Sequence, residues 1–283
     1  MKGIAMALGM FDSVHIGHKA VIEGILDIPA RGIVITFDKI PHKTVGAVLS
    51  DDEKVKKILA TGVDTVEILC FNEIKEMSPT EFLDMLTKGG KVKRIACGFN
   101  YRFGKNAEGD TAFLRRYCEE KGIEYFEAPE VKKNGITVST TYIKKLLADG
   151  KVSEATELLG EPFAISGHVI KGERRGRELG FPTANIKYPD CKCSIKKGVY
   201  HVKVRIGMKD YDGVCDIGVR PTFDCETLLA ETHIIGFKGD CYGQEIKLSF
   251  IEYLREEKKF DSPLALADAI AENVQYVKNK QRV

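Results

Sequence analysis

The chain has 283 residues, 43% of them hydrophobic and 30% charged, a size at which two domains are the ordinary expectation and a composition that excludes a long disordered tail. The formal net charge is +2, with 23 Lys and Arg against 24 Asp and Glu in residues 1–162 and 20 against 17 in the rest, so neither half offers the basic face that nucleic acid requires. The opening stretch meets Asp12 too early for a signal segment, and no apolar run approaches the length of a membrane span; a soluble cytoplasmic protein without a membrane partner is expected.

From residue 3 to about residue 98, short β-branched runs alternate with helical spacing: strand GIAMAL, helix HKAVIEGIL, strand RGIVITF, helix DDEKVKKILA, strand TVEIL, helix SPTEFLDMLTKG, strand VKRIACG. The alternation predicts a parallel sheet covered on both faces, completed by a helix over GDTAFLRRYCEEKG and a strand near IEYFEA. Ser78, Pro79 and Glu81 spell a capping box with proline at the first helical position. STTYIKKLLADGKVSEATELLG reads as helical. Past Gly160 the rhythm becomes short alternating runs with glycine turns, FAISGHVIKG, GVYHVKVRIG, YDGVCDIG, ETHIIGF and EIKLSFIEYL, which predict an antiparallel barrel or closed sandwich and then a terminal helix from about Pro263. The expected domains are residues 1–160 and 161–283. The eight cysteines are scattered, and only CKC is clustered, with no second pair at zinc-ligand spacing; reduced, packed thiols are expected.

The first chemistry-bearing stretch is GMFDSVHIGH, which places His15 and His18 between a strand and a helix start. Free backbone N–H groups and the positive end of the helix dipole gather there, which suits an anion. Structural imidazoles and metal ligands are the competing readings, the second lacking a third ligand nearby. In a parallel sheet, ligands sit beyond the carboxyl ends of the strands, where His15, Phe37 and Gly98 fall. GFNYRFGK has five residues between its glycines and Asn106 where a P-loop has Ser or Thr, and no GxGxxG fingerprint is present.

The first 160 residues resemble the adenylyltransferase module of bacterial bifunctional riboflavin kinase/FAD synthetases. The family pattern GxFDGxHxGH appears as GMFDSVHIGH, with Ser13 for the second glycine; TFDPHP appears as TFDKIP, with Lys39; GxDFxFGxxxxGD appears as GFNYRFGKNAEGD, with Asn100 for aspartate; SSTxIRxxL appears as STTYIKKLL, with Lys144 for arginine. The resemblance implies that His15, His18 and Lys144 serve the transfer, and that Gly9, Phe11, Asp12, Phe37, Asp38, Gly98, Asn100, Phe103, Gly104, Asp110, Ser139 and Thr141 surround nucleotide and flavin. Such a site needs no protein nucleophile. A substrate phosphate attacks ATP, and the protein positions and neutralises.

In the second half, GERRGRELGFPTAN carries glycines at 172, 176 and 180 that permit close backbone approach, with arginines able to meet phosphate. Thr183 and Asn185 project from one face if the segment is extended, and a hydroxyl beside an amide oxygen suits a hard cation and phosphate. The stretch resembles the flavokinase signature GRxLGFPTAN, and GVCDIGVRPTF, ETHIIGF, YGQEI and LREEKKF continue the likeness over essentially the whole chain. It implies a small β-barrel transferring a phosphoryl group from ATP to riboflavin, with Glu231 as general base, Thr183 and Asn185 holding Mg²⁺, Gly172, Gly176, Arg177, Gly180, Pro182 and Arg220 around the nucleotide, and Arg255 and Phe260 beside the flavin. Asp216 stands where the family has asparagine. The implied substrates and products are ATP, riboflavin, FMN and FAD, with partners limited to these small molecules and weak self-association left open. Two alternatives remain at this point: a riboflavin kinase with a degenerate, non-catalytic first domain, and a non-catalytic barrel that binds nucleic acid or protein.

Overall fold

The computed structural model describes residues 3–38, 46–172, 176, 179–221 and 226–280. The chain divides into two compact units, residues 1–142 and 143–283.

The first unit is built on five strands, β1 (Ile4–Leu8), β2 (Arg31–Phe37), β3 (Thr65–Leu69), β4 (Val92–Gly98) and β5 (Glu124–Ala128), all parallel in the order β3-β2-β1-β4-β5. The expected alternation is present, with α1 (Ile16–Glu23), α2 (Asp51–Leu59), a short α3 (Phe71–Ile74), α4 (Pro79–Thr87) and α5 (Thr111–Lys121) between strands. Neighbouring residues of one strand face opposite sides, so Met6 and Leu8 join Phe82, Leu83 and Leu114 in one apolar layer while Ala5 and Ala7 join Val21, Ile22 and Ile58 in the other. The strand order reverses between β1 and β4, and at such a switch point the loops leaving the two strands diverge and open a crevice. The capping box read at Ser78 is formed: Ser78 Oγ accepts the Glu81 N–H at 3.3 Å, and Glu81 returns a carboxylate to the Ser78 N–H at 2.8 Å.

Residues 139–160, read as one helical stretch, form two helices, α6 (Thr140–Ala148) and α7 (Val152–Leu159). Gly150, at φ +80°, breaks them by entering the left-handed region, and its packing leaves little room for a side chain, since a Cβ there would lie 3.3 Å from the Tyr253 ring. A two-stranded hairpin, β6 (Lys132–Lys133) with β7 (Ile136–Thr137), and α3 are further elements that the periodicity does not announce.

The second unit carries β8 (Ala164–His168), β9 (Thr183–Lys187), β10 (Gly198–Ile206), β11 (Lys209–Pro221), β12 (Glu226–Ile234) and β13 (Glu245–Arg255) in the order β8-β13-β10-β11-β12-β9, antiparallel throughout. Just past β8, the Ile170 N–H donates to the Asn185 carbonyl on β9 at 2.8 Å, which brings the two edges together into a nearly closed barrel. Ile186, Tyr200, Val202, Ile217, Ala230, Leu248 and Phe250 fill it and are fully buried. The terminal helix α8 (Pro263–Lys280) places Val274 and Val277 against Val199 and Val214 on the outer face.

Candidate functional site

Beyond the carboxyl ends of β1 and β4, the first unit has a cleft of about 680 Å³ lined by Gly9, Phe11, His15, Gly17, His18, Phe37, Gly98, Asn100, Phe103, Gly104, Ser139 and Thr140, among others. The loop after β1 enters it through two residues in the left-handed region, Phe11 at φ +48° and Val14 at φ +44°. A β-branched residue is costly there, and such strain persists only where the surroundings impose it. The imposed geometry turns His15 into the N-cap of α1: its Nδ1 accepts the His18 N–H at 3.1 Å. An accepting Nδ1 places the proton on Nε2, so neutral His15 keeps one N–H to donate.

The His18 ring stacks on His15, centroids 3.7 Å apart and planes within 8°. Gly17 permits this, since a Cβ there would lie 3.1 Å from the His15 ring. Burial pushes the His15 imidazole down from its ordinary 6.5 to about 4, and the positive charge of Lys57 adds to the effect. Burial is also the main cause holding His18 well below its ordinary value, followed by His15 and Lys57. Both rings are therefore neutral at pH 7 and serve as hydrogen-bonding groups rather than fixed cations. His18 Nδ1 is buried without a hydrogen-bond partner.

The far wall is aromatic. Phe82 lies 6.3 Å from Phe37 and 5.8 Å from Phe103, and Tyr101 stacks on Phe103 at 5.5 Å. Phe103 is held by a two-way backbone bridge to Gly109, where a Cβ would enter the Phe103 ring at 2.7 Å; Gly104, at φ +73°, turns the chain against Pro79. Two carboxylates of the motifs serve the backbone. Asp38 Oδ1 accepts the Phe71 N–H at 2.8 Å, and Asp110 caps α5 by accepting the Phe113 N–H at 2.8 Å. Asp12 offers its carbonyl to the Leu49 N–H. At α6, Ser139 Oγ accepts the Tyr142 N–H at 3.2 Å, Thr140 borders the cleft and Thr141 is exposed; Lys144 lies further along this helix, in the second unit. Tyr101, Arg102, Lys75 and Thr140 are cleft residues that sequence reasoning did not single out. The apolar spacing around TTYIKKLL hid Thr140, because it reports a helix face and not a helix end.

In the barrel, Ala184, Ile186, Ala230 and Thr232 point inward, so the alternate positions Thr183, Asn185, Glu231 and His233 take the outer face. Register aligns them: Asn185 lies opposite Glu231, His233 opposite Thr183, and Glu231 opposite Asp216 on β11. Asn185 is 6% exposed, and its Oδ1 has no hydrogen-bond partner. Gly172 lies over it so closely that a Cβ would stand 2.1 Å from the amide nitrogen. Gly176 approaches Phe181 in the same way, with the Phe181 N–H donating to the Gly176 carbonyl at 2.7 Å, and Gly180 takes φ +82°. The Pro182 carbonyl receives His233 Nδ1 at 3.0 Å. Arg255 and Phe260 meet, the guanidinium 5.6 Å from the ring centroid. Arg177 lies outside the described residues, as does the side chain of Arg220, whose backbone pairs with Thr227. The seven described cysteines are free thiols, and no group of three or more His, Cys, Asp or Glu able to hold a metal occurs among the described residues. No helix among them is long and apolar enough to cross a membrane.

A family model described as FAD synthetase matches residues 1–142, and one described as riboflavin kinase matches residues 159–281. The chain is 36% identical to the bifunctional riboflavin kinase/FMN adenylyltransferase of Listeria monocytogenes, over 90% of this chain and 85% of that one. It is 33% identical to the protein of the same name from Escherichia coli, over 92% and 87%. A solved structure described as a macrolide-efflux protein from Streptococcus pneumoniae superimposes with a TM-score of 0.90 at 28% identity, covering 98% of this chain and 94% of that one. The parallel-sheet unit, the nearly closed barrel and the matched motifs on each agree with these relatives, and the chain belongs to the bifunctional riboflavin kinase/FMN adenylyltransferase family.

Proposed function

We propose that the chain makes FMN from riboflavin and ATP, and FAD from FMN and a second ATP, each reaction on its own module, residues 161–283 for the first and 1–160 for the second. In the kinase reaction, the ribityl 5′-hydroxyl oxygen attacks the γ-phosphorus of ATP, the bond to the β-phosphate oxygen breaks, and ADP leaves. Glu231 accepts the hydroxyl proton as the new P–O bond forms. Thr183 and Asn185 would hold Mg²⁺; the unpartnered, buried Asn185 Oδ1 and the hydroxyl two residues before it on the same strand face are hard oxygen donors that fit this ion. When bound, Mg²⁺ neutralises phosphate charge. Arg255 and Phe260 face the flavin, and the glycine turn before β9 lets the backbone approach the nucleotide.

In the adenylyl transfer, a phosphate oxygen of FMN attacks the α-phosphorus of ATP and pyrophosphate leaves. The α1 N-terminus together with the Nε2–H of His15 and the ring of His18 meets the charge that grows on the phosphoryl oxygens. Phe37, Phe103 and the residues around Gly98 and Asn100 take the planar groups. The observation that carries this half is the stacked, neutral imidazole pair in the lining of the cleft, with His15 capping α1. It supports a preorganised hydrogen-bonding site where the sequence departures at Ser13, Lys39, Asn100 and Lys144 left a degenerate domain open.

Product analysis of the purified chain with ATP, Mg²⁺ and either riboflavin or FMN tests the assignment. FMN from the first mixture, and FAD with pyrophosphate from the second, are expected. FMN production without FAD would overturn the bifunctional reading in favour of a kinase alone.

A further inference from the structure

The side chain of Ser13 is fully buried in the loop between β1 and α1, one residue before the strained Val14. A buried hydroxyl is costly unless it is hydrogen-bonded. Its partner is Thr140 Oγ1 at 3.0 Å, 127 residues away. Thr140 is the first residue of α6, directly after Ser139, which caps that helix. The bond therefore joins the N-terminal ends of α1 and α6, and both ends border one cleft, α1 through His15, Gly17 and His18, α6 through Ser139 and Thr140.

The proton arrangement follows from burial. If Thr140 donated to Ser13, the Ser13 proton would be left inside the protein with no acceptor among its hydrogen bonds. Ser13 therefore donates, and the proton of Thr140 remains for an acceptor in the cleft. A hydroxyl that accepts one hydrogen bond becomes a better donor in the next. In the pattern that this stretch resembles, GxFDGxHxGH, the position is glycine, which has no side chain to make such a bond; here it is Ser13, bonded to Thr140.

We infer that Ser13 is a positioning residue for adenylyl transfer, its hydroxyl latching the N-terminus of α6 to the phosphate-side loop so that both helix ends close on the ATP phosphates together. The inference rests on the adenylyltransferase reading of this cleft. It makes the substitution of glycine by serine a repositioned contact in place of a defect.

The test measures kcat and KM for ATP in FAD formation from FMN, with riboflavin phosphorylation by the same preparation as the internal control. Ser13→Ala is expected to lower kcat/KM for ATP by about three- to tenfold, the range for a lost neutral hydrogen bond, and to leave FMN production from riboflavin unchanged. Thr140→Val should lower it at least as far, and the double variant should fall no further than Thr140→Val alone, because the two residues share one interaction. Thr140→Ser should recover most of what Thr140→Val loses. Additive losses, or a lowered melting temperature with kcat and KM unchanged, would overturn the latch while leaving the adenylyltransferase reading intact. A wild-type chain that forms no FAD would overturn both.

Discussion

In the first unit the chemistry-bearing groups lie in loops and helix ends beyond the strands, and much of what they present is backbone: the N–H groups opening α1 and α6, with His15 consumed as a cap on one side and free to donate on the other. In the barrel they ride on the strands themselves, with Thr183, Asn185, Glu231 and Asp216 set beside one another by register. A loop site tolerates exchange of side chains so long as the helix ends stay in place, and the departures from the family pattern at Ser13, Lys39 and Asn100 fall within residues 1–142. A strand site has less slack in its register, although its row carries one exchange, Asp216 for the asparagine of the pattern it resembles. A shift of one residue would send the whole row into the barrel interior, and FPTAN and ETH are intact.

The largest effect expected from this contrast is at a strand position. Glu231→Gln keeps shape and register and removes the proton acceptor, so riboflavin phosphorylation should fall by about 10² to 10⁴ fold while FMN adenylylation continues. Near-normal FMN production by the variant would remove Glu231 from the role of base. The loop site should answer less steeply, because its donors share the load. His18→Ala should lower FAD formation by about 10² fold, mostly in kcat, with riboflavin phosphorylation near wild type. An equal fall of both activities, with a lower melting temperature, would make His18 a folding residue.

The same contrast marks what could be read in advance. Elements announced by periodicity or by local capping chemistry were legible: the parallel order of α and β, the Ser78 capping box, the terminal helix starting at Pro263. His15 and His18 could be placed at a helix start, but the sequence did not show that one caps the helix and both are held neutral, since that depends on burial by residues far along the chain. Thr183 and Asn185 could be put on one face of a strand. That Glu231 faces Asn185 required the strand order β11-β12-β9, which no local pattern encodes. The break at Gly150 was hidden because the stretches on both sides of it each carry helical apolar spacing, and spacing reports a helix without marking where one ends and the next begins.

Stability against pH sharpens the comparison further. Folding moves His15 from its ordinary 6.5 to about 4, so below pH 6.5 the unfolded chain takes up a proton that the folded chain refuses. The contribution of His15 is present in full above 6.5 and is lost as the pH falls toward 4, by roughly 3 kcal/mol over the whole interval, and His18, also held low, acts in the same direction. Asn accepts a hydrogen bond at an N-cap and does not titrate, so melting of His15→Asn should lose less between pH 6.5 and 4 than the wild type. Parallel profiles for the two proteins would show that His15 is not the titrating group.

The smallest effect concerns a motif residue whose geometry is that of a cap. Asp110 belongs to the GD that closes GFNYRFGKNAEGD, yet its Oδ1 accepts the Phe113 N–H at the start of α5, and its other oxygen stands 3.6 Å from Arg102. The Arg102 pair is exposed on both sides and contributes little. Loss of the cap should cost about 1 kcal/mol, and it should do so without touching chemistry. Asp110→Ala is therefore expected to lower the melting temperature by a few degrees, with FAD formation retained at temperatures where the variant is folded. Asp110→Ser should restore stability, because a serine hydroxyl accepts the same N–H and only the charge is lost. If Asp110→Ser melted like the wild type but lost FAD formation, the carboxylate would be acting on substrate charge or on a cation, and the loop site would depend on a side chain where the geometry makes it depend on a helix end.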